Sequence, residues 1–295
     1  MGSTWRQYYY SGLRIASEWE IEQWAAFEQP ISGSIDLTIR NCDSNFRTAT
    51  EDYLHDLPEI GRFVLRGGTE IIVIPKAEVD QRLVNMFLTA SAWGVLCYQR
   101  GIHLLHCSAI RLRAQAFAFS GNSGSGKSTL AAWLGVRGYE TICDDTCRLE
   151  TVDDRICLYP SARWFKLWPE SLWVLGREQN SLEPETPDFD KFQIPMPGSA
   201  IVEPQPLGAV YLLGWGDLSL QRLIGAEAVR AFLESATYRP EYLDPLGKKQ
   251  AFIQNAIQLV DRVPVYKLQR PRDLSAMDDT TEVLERHWND EYPQA

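Results

Sequence analysis

Residues 117–130 read Phe117-Ala-Phe-Ser-Gly121-Asn122-Ser123-Gly124-Ser125-Gly126-Lys127-Ser128-Thr129-Leu130. An apolar run leads into the glycines, and Leu130-Ala-Ala-Trp-Leu134 leaves them with the character of a helix start. Gly121-x-x-x-x-Gly126-Lys127-Ser128 meets every fixed position of a phosphate-binding P-loop, in the strand–loop–helix setting that the motif requires. A Gly/Ser-rich linker that merely carried a lysine would have neither flank. Glycines allow the backbone to curl close to phosphate oxygens, because no Cβ stands in the way. The loop amides and the positive end of the following helix then form an anion cradle. The residues Gly121 to Thr129 are therefore the expected nucleotide contacts. Lys127 should reach the β- and γ-phosphates, and the Ser128 hydroxyl should complete a Mg²⁺ shell.

Working outward, the chain has 295 residues, 45% of them hydrophobic and 11% aromatic, enough to bury a substantial core. A formal net charge of −10 argues against a general nucleic-acid binder, which would present a basic face. No apolar run approaches the ~18 residues that span a bilayer, so no membrane partner is expected. The opening Trp5-Arg6 and three tyrosines do not resemble a secretory signal, which makes a cytoplasmic setting with reduced thiols the expectation. The six cysteines include Cys143-x-x-x-Cys147. It could serve as half of a metal site, but the four histidines offer no pair at ligand spacing, and ordinary buried thiols are the expectation.

Residues 1–76 read as β-rich, with strands at Leu13–Ala16 and Ile35–Arg40 and a hairpin turning at Gly67-Gly68. Apolar positions from Val79 to Cys97 recur at helical spacing and predict one helix over Glu78–Gln99, ended by Gly101. Ile102–Leu112 and Ala116–Ser120 read as strands, the second delivering the P-loop. Thr129–Val136 reads as a helix, and Tyr139–Cys143 as the strand next to the P-loop strand. Leu149–Leu158 is expected to turn at Asp153-Asp154. The six prolines and several acids of 177–206 predict a long loop. Leu207–Leu213 and Val265–Leu268 read as strands. Gly225–Ala236, Lys248–Asp261 and Ser275–Trp288 read as helices. This gives an α/β chain with a β-rich unit and linking helix over 1–100 and a nucleotide-binding domain over 101–295.

Asp144-Asp145 falls at the end of a strand, where functional groups of α/β proteins gather. One carboxylate would hold Mg²⁺ and the other accept a proton, the alternative being a solvated turn. His106, in Leu104-Leu105-His106-Cys107-Ser108, lies on the strand before the P-loop strand. A lone histidine there is usually a core residue, as His103, His55 and His287 are expected to be. Lys191 reads either as a charge stabiliser over the phosphates or as a solvated loop lysine, and Arg163 and Lys166 share that ambiguity.

The order Leu-Leu-His106, a loop of the form Gly-x-Ser-Gly-x-Gly-Lys-Ser, Arg137-Gly138-Tyr139 and Asp144-Asp145 resembles the HPr kinase/phosphorylase family. It is closer still to the broader group of HPr-kinase-like proteins. The likeness is strong over Gly101–Leu149. It is fainter at Gly12–Glu18, Lys166–Pro169, Asp190-Lys191 and Pro264–Leu268.

The resemblance implies a core akin to phosphoenolpyruvate carboxykinase and transfer of the γ-phosphoryl group of ATP to a serine hydroxyl of a peptide or small protein. It implies Asp144 as general base, Lys127 as phosphate clamp, Ser128 and Asp145 on the metal and His106 beside the catalytic aspartate. It also allows for a homo-oligomer, and associates the chain with kinases of peptide natural-product pathways, including those acting on lasso-peptide precursors. Two features depart from the family. Thr129 stands where the HPr enzymes have Glu, and no Glu-x-Arg-Gly segment follows the Asp strand. HPr itself and a reverse phosphorylase activity are therefore not carried over. A non-catalytic nucleotide sensor and a small-molecule kinase would share the same loop.

Overall fold

Gln115-Ala-Phe-Ala-Phe-Ser120 alternates small and large side chains, and the two faces of that strand set the layers of the molecule. Ala116 and Ala118 join a core cluster with Phe232, Ala236, Ala256 and Leu259. Phe117 and Phe119 join another with Leu130, Leu134, Leu284 and Trp288. The two-residue period of a strand therefore places helices on both sides of one sheet. The computed structural model describes residues 5–178, 184–186, 189–198 and 200–293.

The first six strands are β1 (Arg6–Tyr10), β2 (Leu13–Ser17), β3 (Leu37–Asn41), β4 (Tyr53–Leu57), β5 (Gly61–Arg66) and β6 (Glu70–Pro75). They form a sheet in the order β1-β2-β3-β6-β5-β4. Helices α1 (Gln81–Phe87) and α2 (Trp93–Gln99) follow, joined by a π-helical turn over Leu88–Ala92. The predicted helix over 78–99 is thus present but starts three residues later. Asp80 caps it by accepting from the Arg82 N–H, while Glu78 stands outside it at φ +63°.

The central part contains β7 (His103–Leu105), β8 (Cys107–Leu112), β9 (Gln115–Ser120), α3 (Lys127–Val136), β10 (Glu140–Cys143), β11 (Cys147–Val152) and β12 (Arg155–Tyr159). Three further strands, β13 (Trp164–Leu167), β14 (Pro184–Thr186) and β15 (Phe189–Pro195), pair as β13-β15-β14. The chain closes with β16 (Gln205–Trp215), β17 (Ser219–Leu223), α4 (Gly225–Ala236), α5 (Lys249–Arg262), β18 (Val265–Arg270) and α6 (Met277–Glu291). The large sheet runs β10-β8-β9-β16-β12-β11-β7, with β18 on β16 and β17 on β18.

Three expectations need correction. The strand predicted over 102–112 is broken at His106, whose N–H donates to the Ala236 carbonyl at 2.8 Å. On either side of that break, β7 pairs with β11 while β8 pairs with β9 and β10. The strand ending at Cys143 does not neighbour β9, because β8 lies between them. Two antiparallel pairings in succession nonetheless make β10 run with β9, so both carboxyl ends reach one edge. Lastly, the loop predicted over 177–206 contains β14 and β15, with Lys166 opposite Gln193 across the β13–β15 pair. Its prolines at 184 and 195 stand at strand ends, where a missing N–H is tolerated. Positions 179–183, 187–188 and 199 of that stretch lie outside the described residues.

Candidate functional site

The loop glycines take the backbone that the motif needs. Gly124 and Gly126 both have φ of +80°, in the left-handed region that side chains avoid. Gly126 is confined on a second count, since a Cβ there would come within 2.2 Å of Arg270 Nη2 and 3.1 Å of Trp215 Cη2. At this glycine α3 begins without a side-chain cap, and Gly126, Lys127, Ser128 and Thr129 line the cleft. Lys127 is buried and its Nζ donates to the carbonyl oxygens of Gly121 at 2.8 Å and Asn122 at 3.3 Å. Burial holds its pKa below the usual value, opposed by Asp144 and Asp145. The Thr129 hydroxyl turns away from the loop to Ser171 Oγ, 2.9 Å distant.

Because β10 runs with β9, Asp144 emerges beside the start of α3. Its Oδ1 accepts from the hydroxyls of Ser108 and Ser128, the latter at 2.9 Å, and its Oδ2 accepts from the Lys166 N–H at 2.9 Å. Burial pushes this carboxyl up, and these donors oppose the shift by favouring the ionised form. Asp145 adopts φ +80°, so its side chain leaves the turn in another direction. Its Oδ2 accepts from Lys166 Nζ at 3.1 Å, and its Oδ1 lies 3.8 Å from His106 Nε2. Burial alone would raise its pKa, yet Lys166 and then His106 hold it well below the ordinary carboxylate range.

The expected residues are brought together, but with different neighbours. Ser128 meets Asp144 rather than Asp145, and His106 lies beside Asp145 rather than Asp144. The imidazole pKa is pulled down to about 4 by burial and then by Lys127, which leaves it neutral at physiological pH. Lys191, on β15, places its ammonium 5.0 Å from the centre of the Trp168 ring. It lines the same cleft as Lys127, Asp144 and Asp145, a space of about 240 Å³. Arg163 stays out of the cleft and donates to the carbonyls of Thr141 and Pro197. Lys166 bonds both carboxylates, a role that no motif marks. The trace it leaves in the sequence is strand alternation in Trp164-Phe-Lys-Leu167, where Phe165 and Leu167 are buried and Lys166 faces the other way.

Two further features surround the carboxylates. A smaller cavity of about 30 Å³ shares Asp144, Asp145 and Lys166 with the cleft and is lined by Tyr10, Gln23 and Thr89 from the first 100 residues. Cys143 and Cys147, expected as separate thiols, are joined by a disulfide that brackets the Asp144-Asp145 turn. Cys107 lies within 4.8 Å of both sulfurs. Among the described residues no helix is long and apolar enough to cross a membrane.

No family model matches the chain, and no curated protein matches it in sequence. Among solved structures it is similar to the HPr(Ser) kinase/phosphatase from Coxiella burnetii. The match has a TM-score of 0.36 and 12% identity, and covers 64% of this chain and 99% of that one.

Proposed function

We propose that the chain binds a magnesium–ATP complex and transfers the γ-phosphoryl group to a serine hydroxyl of a peptide or small protein. The observation that carries this reading is the meeting of Ser128 Oγ and Asp144 Oδ1 at 2.9 Å, at the head of a helix whose loop has the P-loop spacing. Hard oxygen donors of this kind suit Mg²⁺, which P-loop proteins hold with the loop Ser/Thr and a strand-end Asp. Ser128 and Asp144 would hold the ion. It would supply neutralisation of charge on the β- and γ-phosphates.

The roles of the two aspartates are exchanged relative to the expectation from sequence. Asp145, held by Lys166 and faced by His106, accepts a hydrogen bond from the incoming alcohol and takes its proton late, as the new O–P bond forms and the bond from the γ-phosphorus to the β–γ bridging oxygen breaks to release ADP. Lys127 and Lys191 offset charge on the transferred group. The acceptor approaches through the small polar cavity at Tyr10, Gln23 and Thr89, which has room for a hydroxymethyl group. Donor and acceptor thus reach the carboxylates from different sides.

The test is incubation of the full chain with γ-labelled ATP, Mg²⁺ and a panel of serine-containing peptides, followed by mass spectrometry of the products. Label on a serine is the expected result. Nucleotide bound but never consumed would instead identify a sensor, and label confined to free small alcohols would identify a small-molecule kinase.

A further inference from the structure

Sheet order gives the cleft two unlike sides. β10 lies to one side of the P-loop strand beyond β8, and its end carries Asp144 and Asp145. β16 and β18 lie on the other side, both parallel to the P-loop strand, so their last residues, Trp215 and Arg270, reach the same edge. The first side holds carboxylates, lysines and Trp168, whose ring is met by the Lys191 ammonium, chemistry for a phosphoryl group. The second holds an indole, Arg270 and, just beyond β18, Leu274.

The indole is mounted on a rigid support. The Arg270 guanidinium lies 4.4 Å from the centre of the Trp215 ring and is 1% exposed. Its Nη2 donates to the carbonyls of Ser125 and Gly126 at 3.2 and 3.1 Å, which ties the stack to the P-loop. Trp215 itself is 36% exposed and borders the cleft. A large aromatic ring backed by a buried cation, with exposed surface beside a phosphate cradle, is the chemistry that stacks a planar heterocycle.

We propose that Trp215, backed by Arg270, is the platform on which the base of the bound nucleotide stacks. This rests on the nucleotide reading above and adds to it the position and orientation of the ligand. The triphosphate tail lies toward Asp144, and the base lies over the end of β16. Recognition is through the ring face, and Leu274 adds apolar contact at the rim.

Titration calorimetry of the full chain with MgADP and, separately, with magnesium tripolyphosphate tests the proposal. Trp215→Leu is expected to weaken MgADP about tenfold or more while moving tripolyphosphate less than about twofold, the scale of one base–aromatic stack. Trp215→Phe keeps a ring and should restore most of the MgADP affinity. Unchanged MgADP binding in Trp215→Leu overturns the platform. So does an equal loss for both probes that Trp215→Phe fails to reverse, since that marks damage to the loop rather than a lost stack. If the wild-type chain bound neither probe, the nucleotide reading would fall and take the platform with it. Tripolyphosphate binding with no preference for the nucleoside would remove the platform alone.

Discussion

The surroundings of Asp144 and those of Asp145 differ sharply, although one peptide bond joins them. Asp144 is 4% exposed and is met by two hydroxyls and an amide, all neutral donors. Asp145 is met by an ammonium and an imidazole edge, at the seam between the cleft and the smaller cavity. Burial lifts the pKa of the first, while charge lowers that of the second. Adjacent carboxylates can thus be given separate duties by a single left-handed residue, because the turn at Asp145 aims them apart.

The largest effects should come from removing the charges on the P-loop side. Lys127→Ala and Asp144→Asn are each expected to lower kcat by roughly a thousandfold or more, the scale of losing a preorganised phosphoryl contact. Asp144→Asn should in addition raise the Mg²⁺ concentration needed for half-maximal rate, and Asp145→Asn should lower kcat with that requirement intact. Identical magnesium titrations for the two asparagine variants would erase the proposed division of labour.

Lys166→Met removes the cation that holds the Asp145 pKa down. That pKa should rise, read as an upward move in the titration of the Asp145 carboxyl followed by NMR. The stability consequence has a definite sign. A depressed carboxylate pKa contributes stability above the ordinary value near ~4, and that contribution fades as pH falls toward the folded-state pKa. Urea unfolding at neutral pH should therefore show a loss of about 2–3 kcal/mol, shrinking in acid.

A smaller shift is expected on the other side. Ser108→Ala deletes one donor to Asp144, so its already raised pKa should climb further, visible as an alkaline displacement of the acid limb of the kcat/KM profile. The smallest effect should be that of Thr129→Val, which loses the hydrogen bond to Ser171. About 1 kcal/mol of stability should go with it, while kcat holds, because the backbone amide of residue 129 remains.

Different parts of this arrangement were legible in the sequence to different degrees. The loop from Gly121 to Ser128 announces itself because its chemistry depends on local spacing, and the strand and helix that flank it are local too. The alternation of Ala116–Phe119 likewise encodes two buried faces. β8 and β9 form a local hairpin, but what lies beyond each of its edges, β10 on β8 and β16 on β9, depends on pairing over long separations, so the place of β10 was not visible. The hydroxyl on Asp144, the ammonium on Asp145 and the Cys143–Cys147 bond depend on how a turn is aimed, and no spacing reports that. Prolines hid β14 and β15 for a simpler reason: a residue that interrupts strands also stands at their ends.

One core cluster gathers Tyr8, Trp24, Trp93 and Tyr98 with Tyr238, Leu243 and Phe252. The opening sheet and the segment around α4 and α5 therefore share a single apolar interior, and neither can melt without baring the other's aromatic rings. Thermal denaturation should follow one cooperative transition, and a nucleotide that stabilises the P-loop should by mass action raise the melting temperature reported by Trp24 and Trp93 as well.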